Sequence, residues 1–122
     1  MSDPELVVRL KTDAAGRPAA LTGRNHQHYR VEFEVRNPPP DTYAATFELH
    51  PSYPDPVRTL PPDSEGRFRL STTTYGDYPV VVRLRTRTGD EVVVRETVAR
   101  ALRRSPSSTP ALKAAVDYIA AH

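Results

Sequence analysis

The strongest signal along the chain is an alternation of apolar and polar residues with a period of two. Between Arg30 and Arg36, Val31, Phe33 and Val35 alternate with Arg30, Glu32, Glu34 and Arg36. Successive side chains of an extended chain point to opposite sides, so this run predicts a strand with one dry face. Tyr43, Ala45, Phe47 and Leu49 alternate with Ala44, Thr46, Glu48 and His50 in the same way, which puts Tyr43 at the head of an inward set. Further strands are predicted at 6–11, 67–71 (Phe68 and Leu70 inward), 79–88 (Val80, Val82 and Leu84 inward) and 91–98. The first is separated from the next by a long, loop-like stretch. Asn37-Pro-Pro-Pro-Asp41 and Pro61-Pro-Asp-Ser-Glu-Gly66 read as rigid connectors, because proline cannot donate to a ladder. Thr88-Gly89-Asp90 joins two long strands in a tight hairpin. About seven short strands in roughly a hundred residues is the pattern of an all-β, immunoglobulin-like β-sandwich. An open meander or a small barrel is the competing arrangement.

The last stretch changes character. Arg103-Arg-Ser-Pro-Ser-Ser108 reads as a polar linker, after which Thr109 supplies a helix cap and Pro110 the first helical position. Leu112, Ala115, Val116 and Ile119 then share one face of a short C-terminal α-helix. A helix of about a dozen residues is marginal alone in water. It must dock on the sandwich, meet a partner or fray. The chain therefore divides into an N-terminal strand and loop joining the sandwich (1–28), a sandwich core (29–101), and a linker with the short helix (102–122).

Composition narrows the function classes. Thirteen prolines against five glycines argue against a helical bundle. Seventeen basic and fifteen acidic residues leave a formal charge of +2 with the signs interspersed, which describes a solvated surface and not a nucleic-acid clamp. With no cysteine there is no disulfide, thiol nucleophile or cysteine-ligated metal. No apolar run reaches the length of a membrane span, and Met1-Ser-Asp-Pro does not read as a signal peptide. A cytoplasmic protein with no membrane partner is the expectation.

Three constellations invite a chemical reading. His26 and His28 would point the same way on an extended segment, with His50 or Glu48 as a third metal ligand; the plainer reading is a polar loop entering a strand, and no metal ligand or cofactor is assigned. Glu48, His50 and Ser52 alternate like a nucleophilic triad, but residues two apart on a strand lie about 7 Å apart. Pro51 could curl the chain and shorten that distance, yet no glycine-rich elbow accompanies the serine, and no catalytic residue is assigned. Arg83, Arg85 and Arg87 share one face, with Arg67 and Arg69 on another. Cross-strand pairing with Glu32, Glu34 or Glu91 accounts for them better than a phosphate stripe, since no aromatic platform accompanies the arginines. More informative are Tyr29, Tyr53, Tyr75 and Tyr78, all at or beside strand ends. Aromatic faces with a hydroxyl nearby suit a flat amide or a cation, unless one or two of these rings simply cap the core.

Four runs of the sequence occur in an order that resembles a known family. They are Val35-Arg-Asn-Pro38, Phe47-Glu-Leu-His-Pro-Ser-Tyr-Pro-Asp-Pro-Val-Arg58, Phe68-Arg-Leu70 and Tyr75-Gly-Asp-Tyr-Pro79. Over 29–101 the chain resembles the YEATS domain, in its prokaryotic YEATS-like branch. The resemblance implies an immunoglobulin-like sandwich that binds and does not catalyse, eukaryotic members being readers of acylated lysine. It implies that Tyr53 and Tyr75 sandwich the acyl-amide, Ser52 hydrogen-bonds it and His50 orients Ser52. The backbone near Tyr75 and Gly76 would add a contact, Tyr78 would back the pocket, and His28 or Tyr29 would lie near the first binding loop. Thr74 stands where the family often has glycine, and Asp77-Tyr78 replaces a small residue followed by phenylalanine. Prokaryotic members are typically sensors or adaptors of bacterial conflict and defence systems. The implied partner is a modified protein or peptide, acyl-lysine above all, or an effector protein of such a system. The rival reading is a protein–protein interaction module that docks through a sheet edge, the arginine stripe or the C-terminal helix.

Overall fold

In a computed structural model, residues 3–22, 27–53, 55–74, 76–104 and 109–122 are described, with the side chains of residues 21, 22 and 27 excepted. The period-two segment around Val31, Phe33 and Val35 becomes the longest strand, β3 (Gln27–Arg36), and buries all three of those side chains. β6 (Arg69–Thr74) pairs antiparallel with residues 29–34 along one side of β3. β1 (Glu5–Leu10) and β2 (Ala20–Thr22) pair with residues 31–36 and 27–29. Because these overlap the β6 pairing, both must lie on the opposite side of β3. The stretch between β1 and β2 is not a free loop. A Thr12–Pro18 bridge closes it, and the Asp13 carboxylate accepts the backbone N–H groups of Ala15 and Arg17 around a turn at Gly16, whose φ is +80°.

The second sheet has the order β5 (Val57–Leu60), β4 (Thr42–Glu48), β7 (Pro79–Thr86) and β8 (Glu91–Thr97), all antiparallel. Its inner face carries Ala45, Phe47, Val80, Val82 and Leu84, each fully buried. Phe33, Phe47 and Phe68 are the largest of the fully buried side chains. The two sheets form an immunoglobulin-like sandwich, as the alternation predicted.

Tyr43 departs from the predicted inward set and is 45% exposed. β4 pairs Thr42 with Thr86 but Ala44 with Arg85, so Tyr43 is the extra residue of a bulge, left unpaired and turned outward. Strand β7 stops at Thr86, two residues before the predicted end, because the hairpin takes Thr86 as its first member. The Gly89 N–H donates to the Thr86 carbonyl with Gly89 at φ +92°. β6 begins and ends later than predicted, which lets it follow β3 as far as Tyr29.

The chain leaves β8 directly into a helix that the sequence reading missed, α1 (Val98–Arg104), with Val98, Ala99, Ala101 and Leu102 buried. Arg103 and Arg104, read as the start of a linker, belong to its last turn; the remainder of that linker, 105–108, lies outside the described residues. α2 (Pro110–Ala121) starts as predicted: the Thr109 hydroxyl accepts the Leu112 N–H, and Pro110 opens the first turn. Ala115, Val116 and Ile119 are buried in the same core cluster as the strands. Docking on the sandwich is thus the outcome for this helix.

Truncating Phe47 to alanine should cost about 3–5 kcal/mol, because it empties the sealed interface between the sheets. Tyr43→Ser should stay within about 0.5 kcal/mol. Urea denaturation of both variants decides the point: a comparable loss for Tyr43→Ser would put that ring in the core.

Candidate functional site

The loop that leaves β4 is built by prolines and closed by its own backbone. Leu49 is buried at the strand end, and its N–H donates to the Pro56 carbonyl at 2.7 Å. Within the loop, the Tyr53 N–H donates to the His50 carbonyl at 3.1 Å, so 50–53 form a turn and not an extended strand. The turn removes the distance objection raised by strand spacing. His50 Nδ1 lies 2.7 Å from Ser52 Oγ and 3.1 Å from the Ser52 backbone nitrogen. A backbone N–H can only donate, so Nδ1 is the acceptor and the neutral ring carries its proton on Nε2. The Ser52 hydroxyl then donates to Nδ1, and its oxygen lone pairs remain available to a ligand N–H.

Tyr53 and Tyr78 form the aromatic part of the site. Their rings meet edge to face at 5.7 Å and 62°, and His50 meets Tyr78 at 5.8 Å and 66°. The Tyr78 hydroxyl donates to Tyr53 Oη at 3.0 Å, and the Tyr53 hydroxyl donates in turn to the Thr73 carbonyl. Burial, reinforced by the neighbouring Tyr53, pushes the Tyr78 hydroxyl far above the ordinary tyrosine range, so it remains a donor.

The segment between β6 and β7 explains both departures from the family pattern. Thr74 is buried, and its hydroxyl donates to the Gly76 carbonyl at 2.7 Å while accepting the Gly76 N–H at 3.3 Å. Thr74 therefore closes this connection with its own side chain. The Asp77 carboxylate accepts the Ala99 N–H at 2.9 Å, tying the connection to the start of α1. Tyr75, read as the second ring of the sandwich, lies outside the described residues.

These elements enclose a cavity of about 120 Å³. The loop after β4 contributes His50, Ser52 and Tyr53, and the β6–β7 side contributes Thr73, Thr74, Gly76, Asp77 and Tyr78. His28 from β3 and His122 from the end of α2 complete the lining. His50, Ser52, Tyr53, Gly76 and Tyr78, named from the sequence, thus converge on one place. Tyr29 is buried instead, its ring 5.7 Å from that of Tyr118, and burial is the main cause that raises its hydroxyl pKa. His122 was missed. Its signal was its spacing of four from Tyr118, on which it stacks at 4.1 Å and 21°.

The competing constellations separate. The Glu48 carboxylate accepts from Arg83 Nε at 2.8 Å and not from His50, which removes it from a catalytic triad. Arg83 also pairs with Glu91 of β8 at 2.9 Å and Arg67 with Glu34 of β3 at 3.8 Å, as the pairing of the arginine faces anticipates, whereas Arg69 pairs with Asp63 of the preceding connector at 2.7 Å. Among the described residues no three His, Asp or Glu side chains converge as metal ligands; His26 lies outside them. A larger cavity of about 510 Å³ runs between β1 and the two helices, floored by Leu6, Leu10, Leu102, Leu112 and Val116. Its described lining holds no hydroxyl or imidazole, so it lacks the groups that distinguish the smaller site.

A family model described as the prokaryotic YEATS domain matches residues 29–97. Among solved structures, the Yaf9 YEATS domain bound to H3K27ac is 18% identical with a TM-score of 0.54, over 88% of this chain and 78% of that one. The likeness shows the fold. The yeast AF-9 homolog protein Yaf9 is 19% identical with a TM-score of 0.49, over 89% and 74% of the two chains. No curated protein matches the chain.

The buried hydroxyls make an alkaline prediction. The unfolded chain ionises its tyrosines near pH 10, whereas folded Tyr78 and Tyr29 hold their protons to higher pH. The folded state therefore binds more protons above about pH 10, and stability, complete below that pH, falls as pH rises through it. Tyr78→Phe should flatten this fall by up to about 1.4 kcal/mol per pH unit, measured by unfolding between pH 9 and 11. Equal slopes for both proteins would show that Tyr78 is not sealed.

Proposed function

Because the chain belongs to the prokaryotic YEATS domain family, we propose that it is a non-enzymatic binding module whose strand-end cavity takes an acylated lysine side chain. The observation that carries this reading is the Ser52 hydroxyl, turned by His50 so that its oxygen accepts an N–H at the cavity lined by Tyr53 and Tyr78. A secondary amide offers that N–H, and its flat face packs against an aromatic ring. Tyr75, adjacent to Gly76 in sequence, is the proposed second ring. Gly76 itself contributes shape: its N–H and carbonyl are both engaged by Thr74. That the Yaf9 YEATS domain is bound to H3K27ac supports a modified peptide as the kind of ligand.

The family resemblance supports the wider part of the proposal. In it the domain is a cytoplasmic sensor or adaptor that couples a modified side chain to an effector protein of a bacterial conflict system. Docking through the helix face is disfavoured, since Ala115, Val116 and Ile119 are buried against the sandwich. Docking through the arginine stripe is disfavoured because Glu48 and Glu91 already hold its Arg83.

Calorimetric titration with acetyl-lysine, crotonyl-lysine and unmodified peptides tests the reading. Saturable binding of an acylated form is the expected result, absent for the unmodified peptide. Ser52→Ala should weaken it about tenfold, the weight of one hydrogen bond of about 1.4 kcal/mol, with an unchanged melting temperature. Absence of binding at millimolar peptide sinks the acyl-lysine reading.

A further inference from the structure

We infer that β8 is a docking edge for a second copy of this chain, paired antiparallel about Val93 into one continuous sheet. The surface is separate from the strand-end cavity and does not depend on what that cavity binds. β8 ends the order of its sheet, with β7 on one side and no described strand on the other. Both ends of the β7–β8 pairing show which backbone groups this leaves over. The Thr86 N–H donates to the Asp90 carbonyl, and the Val98 N–H donates to the Tyr78 carbonyl. Bonded pairs of an antiparallel ladder recur every second residue, so Val92, Val94 and Glu96 turn their backbones to β7. Glu91, Val93 and Arg95 turn theirs outward, and their backbone N–H and C=O groups have no partner among the described residues.

The other described edges are blunted, and this one is not. β5 has four residues between Pro56 and Pro61-Pro62, and β2 has three. On β6 the Thr73 carbonyl is taken by the Tyr53 hydroxyl, and α1 lies against β1. β8 runs seven residues without proline, glycine or a bulge. Val92 and Val94 pack on the core cluster but stay partly exposed, as does Val93 between them.

Charge and register select the same occupant. An antiparallel copy that bonds to these outward groups must set its own Glu91, Val93 and Arg95 against them. Pairing about Val93 places Glu91 opposite the partner's Arg95 at both ends of the contact, and Val92 opposite the partner's Val94. The next such register in either direction sets Arg95 or Glu91 opposite the partner's Val93 and forfeits both ion pairs. Both charges are available. Arg83 Nη1 binds Oε1 of Glu91 and leaves Oε2, while Arg95 has no carboxylate partner among the described residues. An edge that complements itself in this way closes as a two-fold dimer.

Sedimentation velocity of the full chain tests the pairing, with the melting temperature of each variant as the check on folding. The unaltered protein, 13.6 kDa as a monomer, should shift to twice that mass as its concentration rises toward about 1 mM. Arg95→Glu sets like charges together at both ends of the contact, and so does Glu91→Arg. Each variant alone should weaken the dimer about tenfold, with its fold intact because both positions are exposed. Mixed in equal amounts, the two variants restore both opposite-charge pairs, and the mixture should recover the dimer. A monomer at every concentration overturns the proposal and leaves the edge to a strand of another protein. A dimer that neither variant weakens, or that the mixture fails to recover, overturns the pairing about Val93.

Discussion

The structure depends on the sealed interface between its two sheets. Phe33 and Leu70 enter it from one sheet, Phe47, Val82 and Leu84 from the other, and Phe68 closes it from the start of β6. Each of these side chains removes nearly all its apolar surface from water, at about 1.5–3 kcal/mol apiece. Every strand that lines the interface is committed to one face, because a slip of one residue would turn all its apolar side chains to solvent. Register is therefore fixed along β3, β4, β6 and β7. That fixed register in turn holds the strand ends where the cavity forms.

The cavity is made of short connections held by local hydrogen bonds rather than by core packing. His50 and Ser52 are locked within one turn, Thr74 closes on Gly76, and Asp77 holds Ala99. Tyr78 belongs to both systems: it is buried in the core cluster while its hydroxyl reaches Tyr53. It transmits the rigidity of the sandwich to the site. α1 and α2 extend that frame, since α1 starts on the β6–β7 connection and the end of α2 returns to Gly76.

Much of the fold was legible because period-two patterning and turn chemistry are local properties. Val31, Phe33 and Val35 announce a dry face, Gly89 marks a hairpin, and Thr109-Pro110 marks a helix start. The misreadings have equally local causes. The bulge at Tyr43 depends on how β4 meets β7, which the sequence of β4 alone does not encode. α1 follows β8 without a break, and Val98-Ala-Arg-Ala-Leu102 prolongs the preceding apolar run, so the change of period is hidden in seven residues.

The sequence by itself determined the dry faces of β3 and β7, the hairpin at Gly89, how α2 begins, and which side chains carry hydroxyls and imidazoles. Those facts follow from the chemistry of each residue and its near neighbours. Only the tertiary structure decided that His28, His50, Ser52, Tyr78 and His122 face one cavity. Amphipathic patterning says that a face is covered, but not by what. Contact between Gly76 and the end of α2 arises from chain segments more than forty residues apart, and nothing in either segment names the other. Convergence of that kind is set by the packing of two sheets and two helices, a property of the assembled whole.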